Sequence, residues 1–244
     1  VRWLVPVLLL LPDVALGQSL NLDLGAGPSG GGQAGTTARL LQFTALIGLL
    51  SLAPSLLVMM TAFARIAIVL ALLRSAIGAP SIPPNPVLIG LALFLTLFVM
   101  EPVLLQSWQE GILPMAEGRI GELAGMQAAA EPFRIFMAAQ VRDDDLALFL
   151  DLANLPMVAA AEAPWRALTP AFMVSELRRA FEIGFLVFLP FLVIDLVAAS
   201  LLMSLGMMML PPTVVALPFK LAFFVLVDGW RLISGSLVQG FVPS

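Results

Sequence analysis

The chain contains no cysteine and no histidine, and Lys220 is its single lysine. Without cysteine there is no disulfide framework and no thiolate chemistry. Without histidine the commonest general base and the usual zinc ligand are absent, so neither a cofactor nor a metal is expected. A lone lysine leaves no polybasic patch, which argues against a nucleic-acid partner. Charge of either sign is scarce: 11% of the 244 residues are Asp, Glu, Lys or Arg, where a soluble domain carries about 25%. Hydrophobic residues make up 60%, and the mean hydropathy is +1.03. This is the composition of an integral membrane protein.

The first residues read as a cleavable secretory signal over 1–17. Arg2 precedes a short apolar run, Leu4 to Leu11, and Ala15 and Gly17 occupy the small-residue positions before Gln18. The run is shorter than a spanning helix needs. An ordinary N-terminal membrane anchor is the alternative. The stretch 18–39 is Gly-rich between Gly25 and Gly35, a flexible linker by composition.

Four hydrophobic regions follow, and an all-α, polytopic fold of about four helical segments is predicted. The first spans Leu40 to Leu73, interrupted by Pro54 and Arg65. It is too long for one span of about 20 residues, and Pro54 should break it. The second, Val87 to Trp108, contains Glu101 and Pro102. The third, Ile183 to Leu210, contains Pro190 and Asp195. The fourth, Thr213 to Val238, contains Pro218, Lys220, Asp228 and Arg231. The expected organisation is a first helical hairpin over 40–108, an outer-side helical domain over 109–182, and a second hairpin over 183–244.

The turn Gly78 to Pro86 carries four prolines, which forbid a continuing helix. Arg65 and Arg74 flank it and no acid does, which places it on the cytoplasmic side. Segment 109–182 then lies outside, in agreement with a cleaved signal. In that segment Phe133, Phe136, Met137 and Gln140 follow helical spacing, as do Leu146, Phe149, Leu150 and Ala153. Asp143, Asp144 and Asp145 are expected to cap the second helix. Phe136 and Phe149 either fill the core of this small domain or pack against a neighbouring subunit, since so short a domain rarely suffices alone.

Ionisable residues in apolar segments need partners or a purpose. Asp195, Lys220 and Asp228 supply both signs, so structural pairing is favoured over a proton or ion relay. Glu101 and Glu176 join them as candidate assembly charges. Lys220 and Asp228 lie about 80° apart around a helix and two turns apart along it, too far to pair directly. Their partners are expected on other helices or other chains. Met207, Met208 and Met209 sit between Gly206 and the Pro211–Pro212 pair, which favours a non-helical loop hinged at those residues. By spacing alone the methionines read as apolar filler.

Longer strings carry a resemblance. M-M-T-A-F-A-R-I starts at Met59, L-L-R-S-A-I-G at Leu72, P-P-N-P-V-L-I-G-L-A-L-F-L-T at Pro83, and S-E-L-R-R-A-F-E-I-G-F at Ser175. P-F-L-V-I-D-L-V follows at Pro190 and G-M-M-M-L-P-P at Gly206, then L-P-F-K-L and V-L-V-D-G-W. Over about residues 55–240 the chain resembles the FliP/SctR family of type III secretion export-gate proteins. The resemblance implies a ring of several copies, completed by FliQ and FliR. Further export-apparatus proteins such as FlhA and FlhB, and membrane lipids, are further expected partners. It implies a pore for unfolded flagellar proteins in the inner membrane, at the flagellar basal body. It implies a gasket role for Met207, Met208 and Met209, and a gate raised largely above the membrane plane. The signal segment favours the flagellar branch over the virulence injectisome branch.

Two other classes stand beside this reading. A proton-coupled transporter would use the buried charges, but without histidine in its relay. A membrane-embedded hydrolase would need a nucleophile with a base. Ser175–Glu176 is the nearest candidate, with no partner base in the sequence nearby.

Overall fold

The structure, a computed structural model, describes Phe43, Thr44, Ile47, Gly48, Ser51, Ser55 and residues 58–79, 81–207 and 209–241. The expected signal and linker segments, Pro54 and Met208 lie outside the described residues. The chain divides into two compact units, Val1–Leu52 and Ala53–Ser244, and the elements below belong to the second.

Every regular element among the described residues is helical. Helix α1 spans Phe63–Ile77 and α2 Asn85–Ser107. A π-helical turn, Trp108–Ile112, continues α2 into the short α3, Leu113–Ala116. Helices α4, Glu122–Gln140, and α5, Asp143–Leu152, follow. After a 3-10 turn at Ala160–Glu162 comes α6, Trp165–Ser204, with 40 residues. The chain closes with α7, Pro212–Leu226, and α8, Gly229–Gln239.

Helix α1 is the central element because its sequence is apolar on nearly every side. Ile66, Val69, Leu70, Leu73 and Ile77 recur at three- and four-residue steps and are all buried. It packs against α6, α2 and α7. Gly184 lets α6 come close, since a Cβ there would fall 2.2 Å from Leu72 Cδ1. The helix ends where expected: Gly78 takes φ +82° and donates its N–H to Ser75 O at 3.1 Å. Arg74 then holds the proline turn, donating to Pro83 O and to Asn85 Oδ1.

Helix α6 is continuous across residue 183. It runs through the expected boundary with Pro170 and Pro190 inside it. At about 1.5 Å per residue it is about 60 Å long. Its first half packs with α4 and α5 around Met137, Leu150, Leu168 and Phe172, and its second half with α1 and α7. Helices α4 and α5 match the spacing expected of them. The acidic triplet does not cap α5, however. The N-cap is Arg142, and Asp143, Asp144 and Asp145 occupy the first turn, where their charge still suits the helix dipole.

Among the described residues two stretches are long and apolar enough to cross a membrane, Asn85–Ala116 and α6. Helices α7 and α8, bent by 62° at their junction, form a third if taken together. Helix α1, at 15 residues, falls short of the roughly 20 needed.

Candidate functional site

The methionine loop begins with a fully formed helix stop. Gly206, at φ +74°, donates to Met203 O at 3.1 Å, and Met207 donates to Leu202 O at 3.0 Å. This pair of bonds is a Schellman motif, and the left-handed residue it needs is a glycine. Pro211 is the N-cap of α7 and Pro212 opens it, where a missing N–H costs nothing. Between them Met209 is 99% exposed and Met207 is also exposed. A helix stop and a helix start thus hold a short apolar tip away from the bundle.

Behind the loop, Lys220 on α7 ties three helices together. Its Nζ donates to Asp195 Oδ2 on α6 at 2.6 Å and to Ala76 O on α1 at 3.0 Å. Ala76 lies in the last turn of α1, where carbonyls lack helical partners and the dipole favours a cation. Lys220 is buried, and Asp195 Oδ1 is a buried oxygen without a hydrogen-bond partner among the described residues.

A second buried node lies toward the other end of α1. Arg65 donates through Nε to Glu176 Oε2 at 2.8 Å and through Nη2 to Glu176 Oε1. It also reaches Gln140 Oε1 at 3.2 Å and the Gly240 carbonyl at 3.1 Å, just past the end of α8. The Phe241 ring lies 3.7 Å from the guanidinium carbon. Arg179 adds a bond to Gln140 Oε1 at 2.8 Å. The bidentate fork is the reason for an arginine here, since an ammonium could not meet these acceptors together. Arg65 therefore belongs to the core and does not flank the proline turn. The signs in the sequence were a charge inside an apolar run and its place in the string that starts at Met59.

The remaining candidates are dispersed. Asp228 and Arg231 are exposed, with their charged atoms 3.9 Å apart. Asp228 takes φ +52° and forms the joint between α7 and α8. Glu101 is exposed on α2 and has no ion-pair or hydrogen-bond partner among the described residues. Phe136 is partly buried and lies 6.0 Å, centroid to centroid, from both Phe172 and Phe241. Phe149 is partly buried against the cluster around α5 and α6. Ser175 is fully buried, donating to Asp145 Oδ2 at 2.7 Å and accepting from the Arg142 N–H at 3.1 Å. A hydroxyl so enclosed and so paired has no path to a substrate, and neighbouring Glu176 is held by Arg65.

The model of the FliP family matches residues 46–237. The chain belongs to the FliP family. It is 56% identical over 234 residues to the flagellar biosynthetic protein FliP of Caulobacter vibrioides, covering 95% of this chain and 86% of that protein. The protein of the same name from Pectobacterium carotovorum is 54% identical over 212 residues, 86% of this chain and 81% of its own. That of Bacillus subtilis is 48% identical over 197 residues, 80% of this chain and 89% of its own. The matched range of the family contains Arg65, Glu176, Asp195, the methionine loop and Lys220, while Gly240 and Phe241, which complete the Arg65 node, lie just beyond it.

Proposed function

We propose that the chain is a core, non-enzymatic subunit of the flagellar type III protein export gate. In this reading several copies form a ring with FliQ and FliR in the inner membrane. Unfolded flagellar proteins pass through its centre, and the exposed methionine tip seals the resting pore. Four hydrophobic segments, with α4, α5 and the start of α6 as an outer-side domain, are the corresponding topology. Family membership supports the flagellar setting. The structural observation that carries the reading is the loop itself. A Schellman stop and a Pro–Pro start leave the flexible, polarizable side chains of Met207 and Met209 exposed among the described residues. Repeated about a rotation axis, one such tip becomes a circular constriction, and methionine adapts to varied cargo.

The virulence injectisome gate is the second reading, through the same resemblance. The buried charges do not favour a proton-coupled transporter, because Lys220 and Asp195 are already used in joining α1, α6 and α7.

The test is deletion of Met207, Met208 and Met209 in the assembled complex. Assembly on native gels should persist while the membrane becomes leaky to ions and small solutes. Intact rings with unchanged conductance would overturn the gasket role.

A further inference from the structure

Helix α8 turns a polar face outward where its neighbours turn apolar ones. Arg231, Gly235 and Gln239 lie on one ridge at steps of four, with Ser236 beside them. Arg231, Ser236 and Gln239 are exposed, and a Cβ at Gly235 would meet nothing within 4 Å among the described residues. Leu232 is the one large apolar side chain exposed on this side. The opposite side is apolar, with Ile233 and Leu237 packed into the core.

The two ends of α8 fix its level in the bundle. Gly229, Leu232 and Ile233 at its start line an apolar cavity with Val187, Pro190 and Phe191 of α6. Past its far end, the Gly240 carbonyl and the Phe241 ring meet Arg65, which holds Glu176 of α6. Helix α8 therefore lies beside residues 176–191 of α6, part of a candidate membrane span. Over that stretch α6 exposes Phe181, Phe185 and Leu186. The methionine loop lies further along α6: from Phe191 to Ser204 is about 20 Å of helix.

Hydrocarbon does not accommodate a face of this kind. Arg231 is 86% exposed, and its one charged partner among the described residues is Asp228, 65% exposed and 3.9 Å away. A guanidinium carries five donors, and a contact of that length leaves them to water. At membrane depth, hydrated polar groups stand where they line a water-filled cavity.

We propose that the outward face of α8 is the wetted wall of the conduit on the outer side of the methionine tip, which the unfolded cargo meets after passing the gasket. This deepens the reading of the chain as a gate subunit and rests on it. Rotation about the ring axis repeats Asp228, Arg231 and Gln239 as circles of polar groups. Each copy adds one charge of each sign, so the wall is hydrated without a net charge of its own. Such a wall suits a polypeptide of varied sequence, because a conduit must hold what it carries weakly enough to release it.

The absence of cysteine makes single thiols the direct test, in membrane vesicles that carry the whole export apparatus. Arg231→Cys, Gly235→Cys and Gln239→Cys should react with a charged, membrane-impermeant methanethiosulfonate about ten times faster than Phe185→Cys, because a thiol in apolar surroundings does not ionise. An export substrate fused to a domain that does not unfold, and so stalled in the gate, should remove most of that difference. It should leave the exposed thiol of Asp144→Cys, on α5, as reactive as before. Three separate positions on α8 keep one poorly folded variant from deciding the result. Assembled rings in which the α8 thiols react no faster than Phe185→Cys would overturn the wall and leave the gate reading standing. So would fast reaction that stalled cargo does not slow, since that face would then meet water outside the conduit. No ring from the unmodified chain, or no cargo stalled within it, would overturn the gate reading and the wall with it.

Discussion

Lys220 Nζ lies 2.6 Å from Asp195 Oδ2, and the same ammonium holds the Ala76 carbonyl at 3.0 Å. One cation thus closes the end of α1 and joins α6 to α7. The proline-rich α7 has few other polar contacts, so this node sets where the methionine loop stands. Asp195→Asn leaves a buried ammonium without its counter-charge. The cost is expected toward the lower end of roughly 3–5 kcal/mol, because Asp195 keeps some access to solvent. Assembled ring on native gels should fall accordingly. Asp195→Asn combined with Lys220→Met should lose less than either single change. Full assembly in Asp195→Asn, with export lost only when a proton gradient drives it, would instead assign the pair to proton transfer.

The Arg65 node predicts a graded series. Arg65→Met leaves the fully buried Glu176 with Arg179 at 3.9 Å as its nearest cation, and should cost roughly 3–5 kcal/mol. Arg65→Lys keeps the charge and loses the fork, so it should fall between. Phe241→Leu keeps the ion pair but removes the cation–π contact and the ring contact with Phe136, and should cost about 1–2 kcal/mol. Thermal unfolding of the three variants in one detergent checks the order. Equal losses in all three would mean that the end of α8, and not the ion pair, dominates.

Phe136 touches Phe172 and Phe241 within its own chain. Phe136→Ala should therefore lower subunit stability by about 3 kcal/mol or more, with ring yield falling in step. A ring that fails while the isolated subunit keeps its stability would show that the ring's exposed edge serves a neighbour. Phe149 is open to the same comparison.

Gly206 at φ +74° has no steric neighbour for a Cβ among the described residues, so its backbone conformation is what a substitution there tests. Gly206→Val should cost about 1–2 kcal/mol and loosen the loop, while Gly206→Asn should be milder. Membrane conductance of assembled gates reads the difference, and equal conductance in both would detach the helix stop from sealing.

Gly111, in the π-helical turn, packs on the backbone of α4. A Cβ there would fall 2.3 Å from Ala129 N, which neither side can relieve by rotating a side chain. Gly111→Ala should push α4 away and break the Ser107 Oγ to Ala129 O bond of 2.7 Å, costing about 1–3 kcal/mol or more. Proteolysis of the segment between α3 and α5 should accelerate; an unchanged digestion pattern would argue that the contact is loose in solution.

The sequence by itself determined that the chain is helical, apolar and without thiol or imidazole chemistry, because composition and periodicity act locally. It also placed the two interruptions that matter most, the turn at Gly78–Pro86 and the loop at Gly206–Pro212. Glycine and proline act through their own backbone geometry wherever they stand. Proline was a weaker guide inside α2, α4, α6 and α7, where Pro102, Pro132, Pro170, Pro190 and Pro218 are carried without ending the helix. There tertiary packing outweighs one missing hydrogen bond. Only the tertiary structure decided which charges meet. Arg65 and Glu176 are 111 residues apart, and Lys220 and Asp195 are 25 apart. No spacing rule links such positions, because the pairing depends on which helices lie side by side. Burial then makes each choice binding, since an ion in the core must find its partner where the packing has put it.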